Sequence, residues 1–277
     1  MNRGYYSLIH SMNRVVPYTP LLDTYTNSQV AYSMFKLRNA YSGSCIRVRR
    51  SSDNTEQDIG FVNNYLDTAS LLSFVGAGNG FVVKLYDQVG NNNLTQIIAS
   101  ANQPQIVSIG SLITRNGIAT IQATATQWLN FTSTITINTS HNWWLTYEKN
   151  STSNHMVLYG NATNYAFYEV GTSKYTSTNF FVTASPNLVA NDFMLLNSNY
   201  WINATSTCNL YRNGTQIGTG TTAYSPGTTQ SQFNTLPGSA FRNSVTCFFN
   251  EFVLFNADKW SNRSAIESNI KTRNLIY

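Results

Sequence analysis

The chain has 277 residues and a formal net charge of +5, and only 10% of its residues are charged. Average globular domains carry about 25% charged residues, so this surface is polar but weakly charged. The basic residues cluster only at Arg47, Arg49 and Arg50, which is too few for the basic stripe of a nucleic-acid-binding protein. No run approaches the length of a membrane span, and the first residues do not lead into the apolar segment of a signal peptide.

The composition favours strands and turns. Aromatic residues reach 13%, with 17 Tyr and 15 Phe, and Asn, Thr and Ser fill most polar positions. Tyr, Phe and Thr suit strands, whereas Asn and Ser suit turns. The three cysteines, Cys45, Cys208 and Cys247, have no CxxC or Cys/His spacing, which argues against a disulfide framework and a zinc site. They are predicted to be buried free thiols, and neither a metal nor a cofactor is predicted.

Residues 1–25 are predicted to form an N-terminal arm, followed by one domain at residues 26–277. The arm contains Pro17 and Pro20, and proline is confined to edge strands and strand starts within sheets. Packing on its own domain and docking on a neighbouring molecule both remain open for this arm.

Three helices are predicted from apolar residues at helical spacing and from capping residues. Asp67 is the expected N-cap of the second helix, and Gly76 is its expected stop. Ser261 is the expected cap of the third helix, which has Ile266 and Ile270 on one face. The predicted helices are 29–39, 66–75 and 261–270.

The remaining chain is predicted to form many short strands, an arrangement typical of a β-sandwich. Residues 209–218 are predicted to be a hairpin, because Asn213-Gly214 suits a type I′ turn. The long apolar run at 247–255 is predicted to be a strand buried on both faces. The other predicted strands are 81–86, 132–137, 143–147, 156–159, 165–170, 193–196 and 201–204.

One stretch of the sequence resembles a known family. Residues 31–64 read AYSMFKLRNAYSGSCIRVRRSSDNTEQDIGFVNN, and residues 66–95 read LDTASLLSFVGAGNGFVVKLYDQVGNNNLT. They resemble the N-terminal half of the α-L-arabinofuranosidase B catalytic domain, and similar modules occur in bacteriophage virion proteins. The C-terminal strand and helix are similar to laminin-G-like domains. The resemblance implies an all-β, concanavalin A-like jelly-roll β-sandwich with a few short helices.

The resemblance also implies catalytic features that this sequence lacks. Glycosidases use two carboxylates, about 5–5.5 Å apart in retaining enzymes and about 6.5–9.5 Å apart in inverting ones. The family's nucleophile Glu has no counterpart in the matching segment 158–162, and its acid/base Asp has none in 236–241. The family's adjacent Cys-Cys pair is absent too. These departures argue against catalysis; if the chain is an enzyme, Glu169 and Glu251 are the candidate carboxylates.

The acidic residues of the first third are predicted to be structural. Asp53 and Asp58 lie near Arg47 and Arg49 in the sequence, and a carboxylate beside an arginine stays ionised and is a poor general acid. A buried polar network that fixes the first hairpin is therefore expected. Asp87 is assigned to the same structural set as a turn-capping residue, and a role as a calcium ligand is the alternative.

Aromatic residues are candidates for glycan binding, because sugars present C–H faces to rings. Trp143, Trp144 and Tyr147 form the richest local group, and Trp128 and Trp201 come next. Adjacent strand residues point to opposite faces, so one of the two neighbouring tryptophans is expected in the core and the other exposed or at an interface. Structural packing is the alternative for each of them.

The sequence therefore leads to a functional hypothesis by analogy of fold. The chain is predicted to be a non-enzymatic bacteriophage virion protein (capsid decoration, fibre or tail-associated) with a lectin-like fold. Host or environmental glycans are its candidate ligands. Its expected partners are other virion proteins and further copies of itself, with no nucleic acid and no membrane. Its expected location is the virion, after synthesis in the host cytoplasm. The alternatives are an α-L-arabinofuranosidase-type glycoside hydrolase and a purely architectural decoration protein.

Overall fold

The computed structural model describes most of the chain. It covers residues 19–124, 126–137, 140–150, 190–201, 207–221 and 246–277, together with the backbone of strands within 156–183 and at 228–233. Residues 1–18 of the predicted arm lie outside the described residues, as does segment 236–241. Segment 158–162 is described only at Tyr159–Gly160.

The described elements are three α-helices and 24 strands. The helices are α1 (Leu21–Thr24), α2 (Thr68–Val75) and α3 (Arg263–Asn274). The strands are β1 (Val30–Ser33), β2 (Ile46–Arg50), β3 (Glu56–Ile59), β4 (Phe61–Val62), β5 (Tyr65–Leu66), β6 (Gly80–Leu85), β7 (Leu94–Thr95), β8 (Gln105–Ser108), β9 (Ser111–Leu112), β10 (Thr114–Arg115), β11 (Ile118–Ala119), β12 (Ile121–Ala123), β13 (Leu129–Ile137), β14 (His141–Lys149), β15 (Met156–Val157), β16 (Tyr159–Gly160), β17 (Tyr168–Val170), β18 (Ser173–Ser177), β19 (Phe180–Thr183), β20 (Met194–Trp201), β21 (Thr207–Arg212), β22 (Thr215–Thr221), β23 (Thr228–Phe233) and β24 (Cys247–Phe255).

Most strands belong to one large antiparallel sheet that folds back on itself. Its order is β16-β23-β13-β7-β6-β8-β12-β24-β14-β20-β21-β22, with β1, β2, β3 and β9 attached at its sides. Val48 of β2 and Val82 of β6 come from the first half of this sheet, and Leu145 of β14 and Leu196 of β20 come from the second half. All four residues pack in the same buried cluster. Two sheet halves that share one core in this way form a sandwich.

The strand β24 is the centre of the second half. It pairs with β1, β12 and β14, and all nine of its residues are buried. The prediction of a strand buried on both faces at 247–255 is confirmed. Burial on both faces explains why its sequence is a nearly continuous apolar run rather than an alternating one.

A helical layer covers the outer face of β24 and β14. Leu21 of α1 and Ile266 and Ile270 of α3 lie in a second buried cluster with Trp144 and Phe255. The C-terminal part of the predicted arm is thus packed on the domain. The apolar spacing correctly predicts which face of α3 is buried, because Ile266 and Ile270 pack against the sheet.

The predictions for the first two helices have opposite outcomes. The helix α2 is confirmed: Asp67 Oδ1 accepts from the Ser70 N–H at 3.0 Å, and Gly76 ends the helix at a φ of 64°. The predicted helix at 29–39 is wrong, because Val30–Ser33 is a strand paired with β24. Its four residues are all buried, and pairing with a buried strand outweighs the helical spacing of the apolar positions.

The predicted hairpin is confirmed as β21 and β22. Asn213 and Gly214 connect these strands with φ values of 51° and 91°, and a type I′ turn needs two positive values. The strands predicted near 81–86, 132–137 and 143–147 are present as β6, β13 and β14. No helix in the described part of the chain is long and apolar enough to span a membrane.

Candidate active site

The first hairpin carries its charged groups on the surface. Arg47 donates to both Asp58 oxygens at 2.7–2.8 Å, and the two side chains are 38% and 36% exposed. Arg50, rather than Arg49, forms the ion pair with Asp53. The structure shows two separate ion pairs at this hairpin rather than one network, and the prediction that the charged groups are buried is wrong. The alternation of β2 directs Val48 into the core and leaves the neighbouring arginines outside.

The other member of the predicted network, Arg49, bonds to neutral groups. It donates to Gln103 Oε1 at 2.7 Å and to Asn54 Oδ1 at 2.6 Å, and its guanidinium lies over the Phe81 ring. On the same surface the Asp58 carboxylate accepts from the Tyr86 hydroxyl at 2.7 Å. The Arg47 guanidinium holds the pKa of Asp58 below its ordinary value, so Asp58 stays ionised and is unsuited to donate a proton to a leaving group.

Asp87 makes a separate set of contacts in the interior. Its carboxylate accepts from the backbone N–H groups of Ala31, Val89 and Gly90 at 3.0–3.1 Å. The turn-capping prediction is thus confirmed. Burial raises the pKa of Asp87, although these N–H donors oppose the shift. In the described part of the chain no group of three or more potential metal ligands occurs, and the three described cysteines are buried and free.

Glu251 lies beneath α3 and is fully committed to structural contacts. Arg273 forms an ion pair with it, and Arg273 Nε donates to Oε2 at 2.9 Å. The Ser33 hydroxyl donates to the same oxygen at 3.0 Å. A carboxylate that is buried and held by an arginine cannot reach a sugar, so Glu251 is removed from the candidate catalytic residues.

Two further buried carboxylates are also held by arginines. Glu148 pairs with Arg115 at 2.7 Å, and Glu267 pairs with Arg263 at 2.5 Å. Burial raises the pKa of Glu267, and the arginine opposes this shift. The buried carboxylates of the described part are therefore each bound to an arginine or, for Asp87, to backbone N–H groups.

Glu169, the other candidate catalytic residue, lies in a separate four-stranded sheet. This sheet has the order β15-β17-β18-β19, and Glu169 is the middle residue of β17. In the register it stands opposite Met156 on one side and Lys174 on the other. The structure therefore places Glu169 on a strand inside the small sheet.

The predicted glycan-binding aromatics lie mostly inside the protein. Trp143 and Tyr147 belong to the core between the sheet halves, and Trp144 belongs to the cluster beneath the helices. One of the two neighbouring tryptophans was expected in the core and the other exposed or at an interface; instead both are buried, because a helical layer covers the second face of β14. Trp128 is partly exposed, in the loop before β13.

Sequence reasoning missed the more exposed tryptophan. Trp260 is 37% exposed in a 3₁₀ turn that precedes α3. Its ring is 5.6 Å from that of Tyr211. The isolated Trp260 lacks the aromatic neighbours that drew attention to Trp143 and Trp144, but the Asp258 that precedes it is a signal for a turn.

Comparison with known proteins identifies the family. Residues 23–179 match the family model described as alpha-L-arabinofuranosidase B, catalytic. This match covers more than half of the chain, and the chain therefore belongs to the α-L-arabinofuranosidase B catalytic-domain family. A search of curated proteins finds no match.

Solved structures share the fold. An arabinofuranosidase complexed with arabinofuranosyl-alpha-1,2-xylobiose is 15% identical, with a TM-score of 0.68 over 92% of this chain and 64% of that one. An α-L-arabinofuranosidase soaked with a cyclic sulfate inhibitor is 14% identical, with a TM-score of 0.64 over the same shares. The chain thus spans 64% of the length of these structures. The prediction of an all-β jelly-roll β-sandwich is confirmed.

These findings correct the functional prediction. The hypothesis of a non-enzymatic bacteriophage virion protein is wrong, because the family model and the solved structures are those of arabinofuranosidases. The missing motifs that argued against catalysis come from segments 158–162 and 236–241, which lie largely or wholly outside the described residues.

Proposed function

We propose that this protein is a glycoside hydrolase of the α-L-arabinofuranosidase type, which releases arabinofuranosyl groups from a polysaccharide or oligosaccharide. The observation that carries the proposal is the family match over residues 23–179. The fold shared with two arabinofuranosidase structures supports it. A shared fold alone does not determine a reaction, so the proposal depends on an identifiable carboxylate in this chain.

Glu169 is the residue proposed to act at the sugar. It lies within the family match, whereas Glu251 lies outside that match and is bound to Arg273. Glycoside hydrolysis passes through an oxocarbenium-like transition state, which a nearby carboxylate stabilises by attack or by charge. A carboxylate already neutralised by a buried arginine provides little of this stabilisation, which argues against Glu251.

Proton transfer to the leaving group needs a second carboxyl group with a raised pKa. Burial raises the pKa of Asp87, but three backbone N–H groups occupy its oxygens. Glu267 also has a raised pKa, and it is bound to Arg263. Asp87 and Glu267 are therefore structural in this proposal, and the proposal assigns Glu169 alone a role at the sugar.

The substrate class is tested with a panel of aryl glycosides. The purified protein is incubated with 4-nitrophenyl derivatives of α-L-arabinofuranose, β-D-xylopyranose and β-D-galactopyranose, and released nitrophenol is measured. The proposal predicts turnover of the arabinofuranoside, with at least about 100-fold lower rates on the pyranosides, since a site built around one sugar leaves its polar groups unpaired with another. Equal rates on all three, or no turnover of the arabinofuranoside, would overturn it.

A further inference from the structure

The surface around Trp260 combines an exposed indole with a rigid support. Its ring is inclined at 49° to the ring of Tyr211, and the Arg263 guanidinium lies 4.1 Å from the Tyr211 ring centroid and 5.0 Å from that of Trp260. The backbone N–H of Trp260 donates to Asp258 Oδ1 at 2.8 Å, which holds the turn that carries the ring. These contacts fix the orientation of the indole while more than a third of the residue stays exposed.

An oriented amide lies beside the same aromatic pair. The Tyr211 hydroxyl donates to Gln216 Oε1 at 3.0 Å, and Gln216 Nε2 donates to Asn209 Oδ1 at 3.4 Å. Gln216 is exposed at the start of β22. The Tyr211 side chain therefore contacts both the exposed ring of Trp260 and the exposed amide of Gln216.

A row of amides continues from this point across the sheet. Asn209 stands opposite Asn199 in the register, and Asn199 stands opposite Asn142. Asn142 Oδ1 in turn accepts from the Lys259 N–H, next to Trp260. Both amide atoms of the buried Asn199 lack a hydrogen-bond partner in the described part of the protein. A buried amide without hydrogen-bond partners is costly, and an ordered water typically completes the bonding at such a place.

The arginine beside the indole is paired within the protein, and the Lys259 ammonium lies 5.2 Å from the Phe255 ring centroid. Arg263 is paired with Glu267 at 2.5 Å, and Lys271 donates to the Asn213 carbonyl at 3.2 Å. A site that consists of a ring face and neutral amides, with its guanidinium already paired, suits an uncharged sugar better than a uronate. The C–H face of the sugar would stack on the ring, and its hydroxyls would bond to the amides.

We propose that Trp260, Gln216 and Asn209 form a carbohydrate-binding platform for a neutral polysaccharide. The platform would bind the polymer, whereas Glu169 would act on the sugar that is released. The strand β22 that carries Gln216 also contacts β19 of the small sheet, to which the β17 strand of Glu169 belongs. The choice of arabinoxylan as the probe rests on the proposed function, whereas the binding measurement does not require hydrolysis.

The test measures binding of soluble arabinoxylan by affinity gel electrophoresis, with the Glu169→Gln background to prevent turnover. Trp260→Ala is expected to weaken binding by about tenfold or more, because truncating a central aromatic residue of a binding site removes much of the affinity. Trp260→Phe is expected to retain part of the binding. Tyr277→Ala removes an aromatic residue that is 91% exposed at the C-terminus, and this matched control is expected to bind as the parent does.

Three outcomes would overturn the platform. They are unchanged binding in Trp260→Ala, an equal loss in Tyr277→Ala, and tighter binding of polygalacturonate than of arabinoxylan by the parent. Thermal unfolding and circular dichroism verify that each variant is folded. The two proposals are separated by measuring turnover of the aryl arabinofuranoside in proteins that keep Glu169. If Trp260→Ala loses polymer binding but keeps turnover, the platform is supported. If the parent binds the polymer but shows no turnover, only the proposed reaction is contradicted.

Discussion

Glu251 on β24 and Arg273 on α3 form an ion pair whose side chains are 1% and 0% exposed. The Ser33 hydroxyl donates to the same carboxylate at 3.0 Å, and the Arg273 guanidinium also lies 5.8 Å from the Phe35 ring centroid. The pair thus joins the C-terminal helix to the central strand and to β1. This contact explains why a carboxylate in an otherwise apolar strand is not available for catalysis.

Removal of Glu251 should destabilise the fold strongly. Glu251→Ala leaves the buried Arg273 without its partner, and breaking a buried pair in this way costs about 3–5 kcal/mol. The measurement is the free energy of unfolding in urea. The double variant Glu251→Met/Arg273→Met should recover much of the loss, since replacing both members with apolar residues is often close to neutral. A single variant as stable as the parent would contradict the burial of this pair.

Replacing a buried tryptophan with alanine should lower the free energy of unfolding far more than replacing the exposed Trp260. Trp144 is fully buried, and its ring lies 5.6 Å from that of Phe255. We expect Trp144→Ala to lower the free energy of unfolding by about 3–5 kcal/mol. Trp260→Ala should cost clearly less, because the indole is partly exposed in the folded state. Similar losses of unfolding free energy in the two variants, measured by urea denaturation, would contradict the assignment of Trp260 as a partly exposed residue.

The hairpin turn gives a local test of backbone conformation. Gly214 has a φ of 91°, and a Cβ at this position would lie 3.3 Å from Glu267 Oε2. Because an L side chain at a positive φ costs about 1–2 kcal/mol, Gly214→Ala should lower the unfolding midpoint measurably. Gly60→Ala serves as the control, since a Cβ there meets no atom within 4 Å and its φ is not positive. Equal midpoints for the two variants would argue against the positive φ at Gly214.

The pair of Arg47 and Asp58 should contribute an acid-sensitive part of the stability. Because the pKa of Asp58 is lowered in the folded state, the contribution is fully present above the unfolded value of about 3.9. It is lost as the pH falls through the folded value. Both side chains are more than a third exposed, so the contribution is below about 1 kcal/mol. We expect thermal melts of Asp58→Asn to lie slightly below those of the parent at pH 7, and the difference to shrink as the pH falls below the unfolded pKa of about 3.9. A constant difference over this range would contradict the linkage.

The local elements were predictable where short-range chemistry decides them. Asp67 and Gly76 bracket α2 as capping rules require, and Asn213-Gly214 closes the hairpin. The segment at 29–39 was not predictable, because its conformation depends on pairing with β24, more than 200 residues away in the sequence. Likewise, no local pattern shows that α3 covers the outer face of Trp144.

The candidate site was predictable only in part. Sequence reasoning named Glu169 and Glu251 together, and only the tertiary contact with Arg273 separates them. It favoured Trp143 and Trp144 because paired tryptophans are conspicuous, whereas the position of the Trp260 ring depends on its packing against Tyr211. Charge pairing and exposure are properties of long-range packing, which residue spacing does not report.

The most direct test of the proposed function is the release of arabinose from 4-nitrophenyl α-L-arabinofuranoside by the parent protein and by Glu169→Gln. Glu56→Gln is the matched control, since this exposed residue lies in the same family-matched part of the chain. The account predicts turnover by the parent and by Glu56→Gln, and a loss of about 100-fold or more in Glu169→Gln, the scale of a missing catalytic carboxyl group. Full turnover by Glu169→Gln would contradict the assignment of Glu169, and no turnover by the folded parent would contradict the proposed reaction.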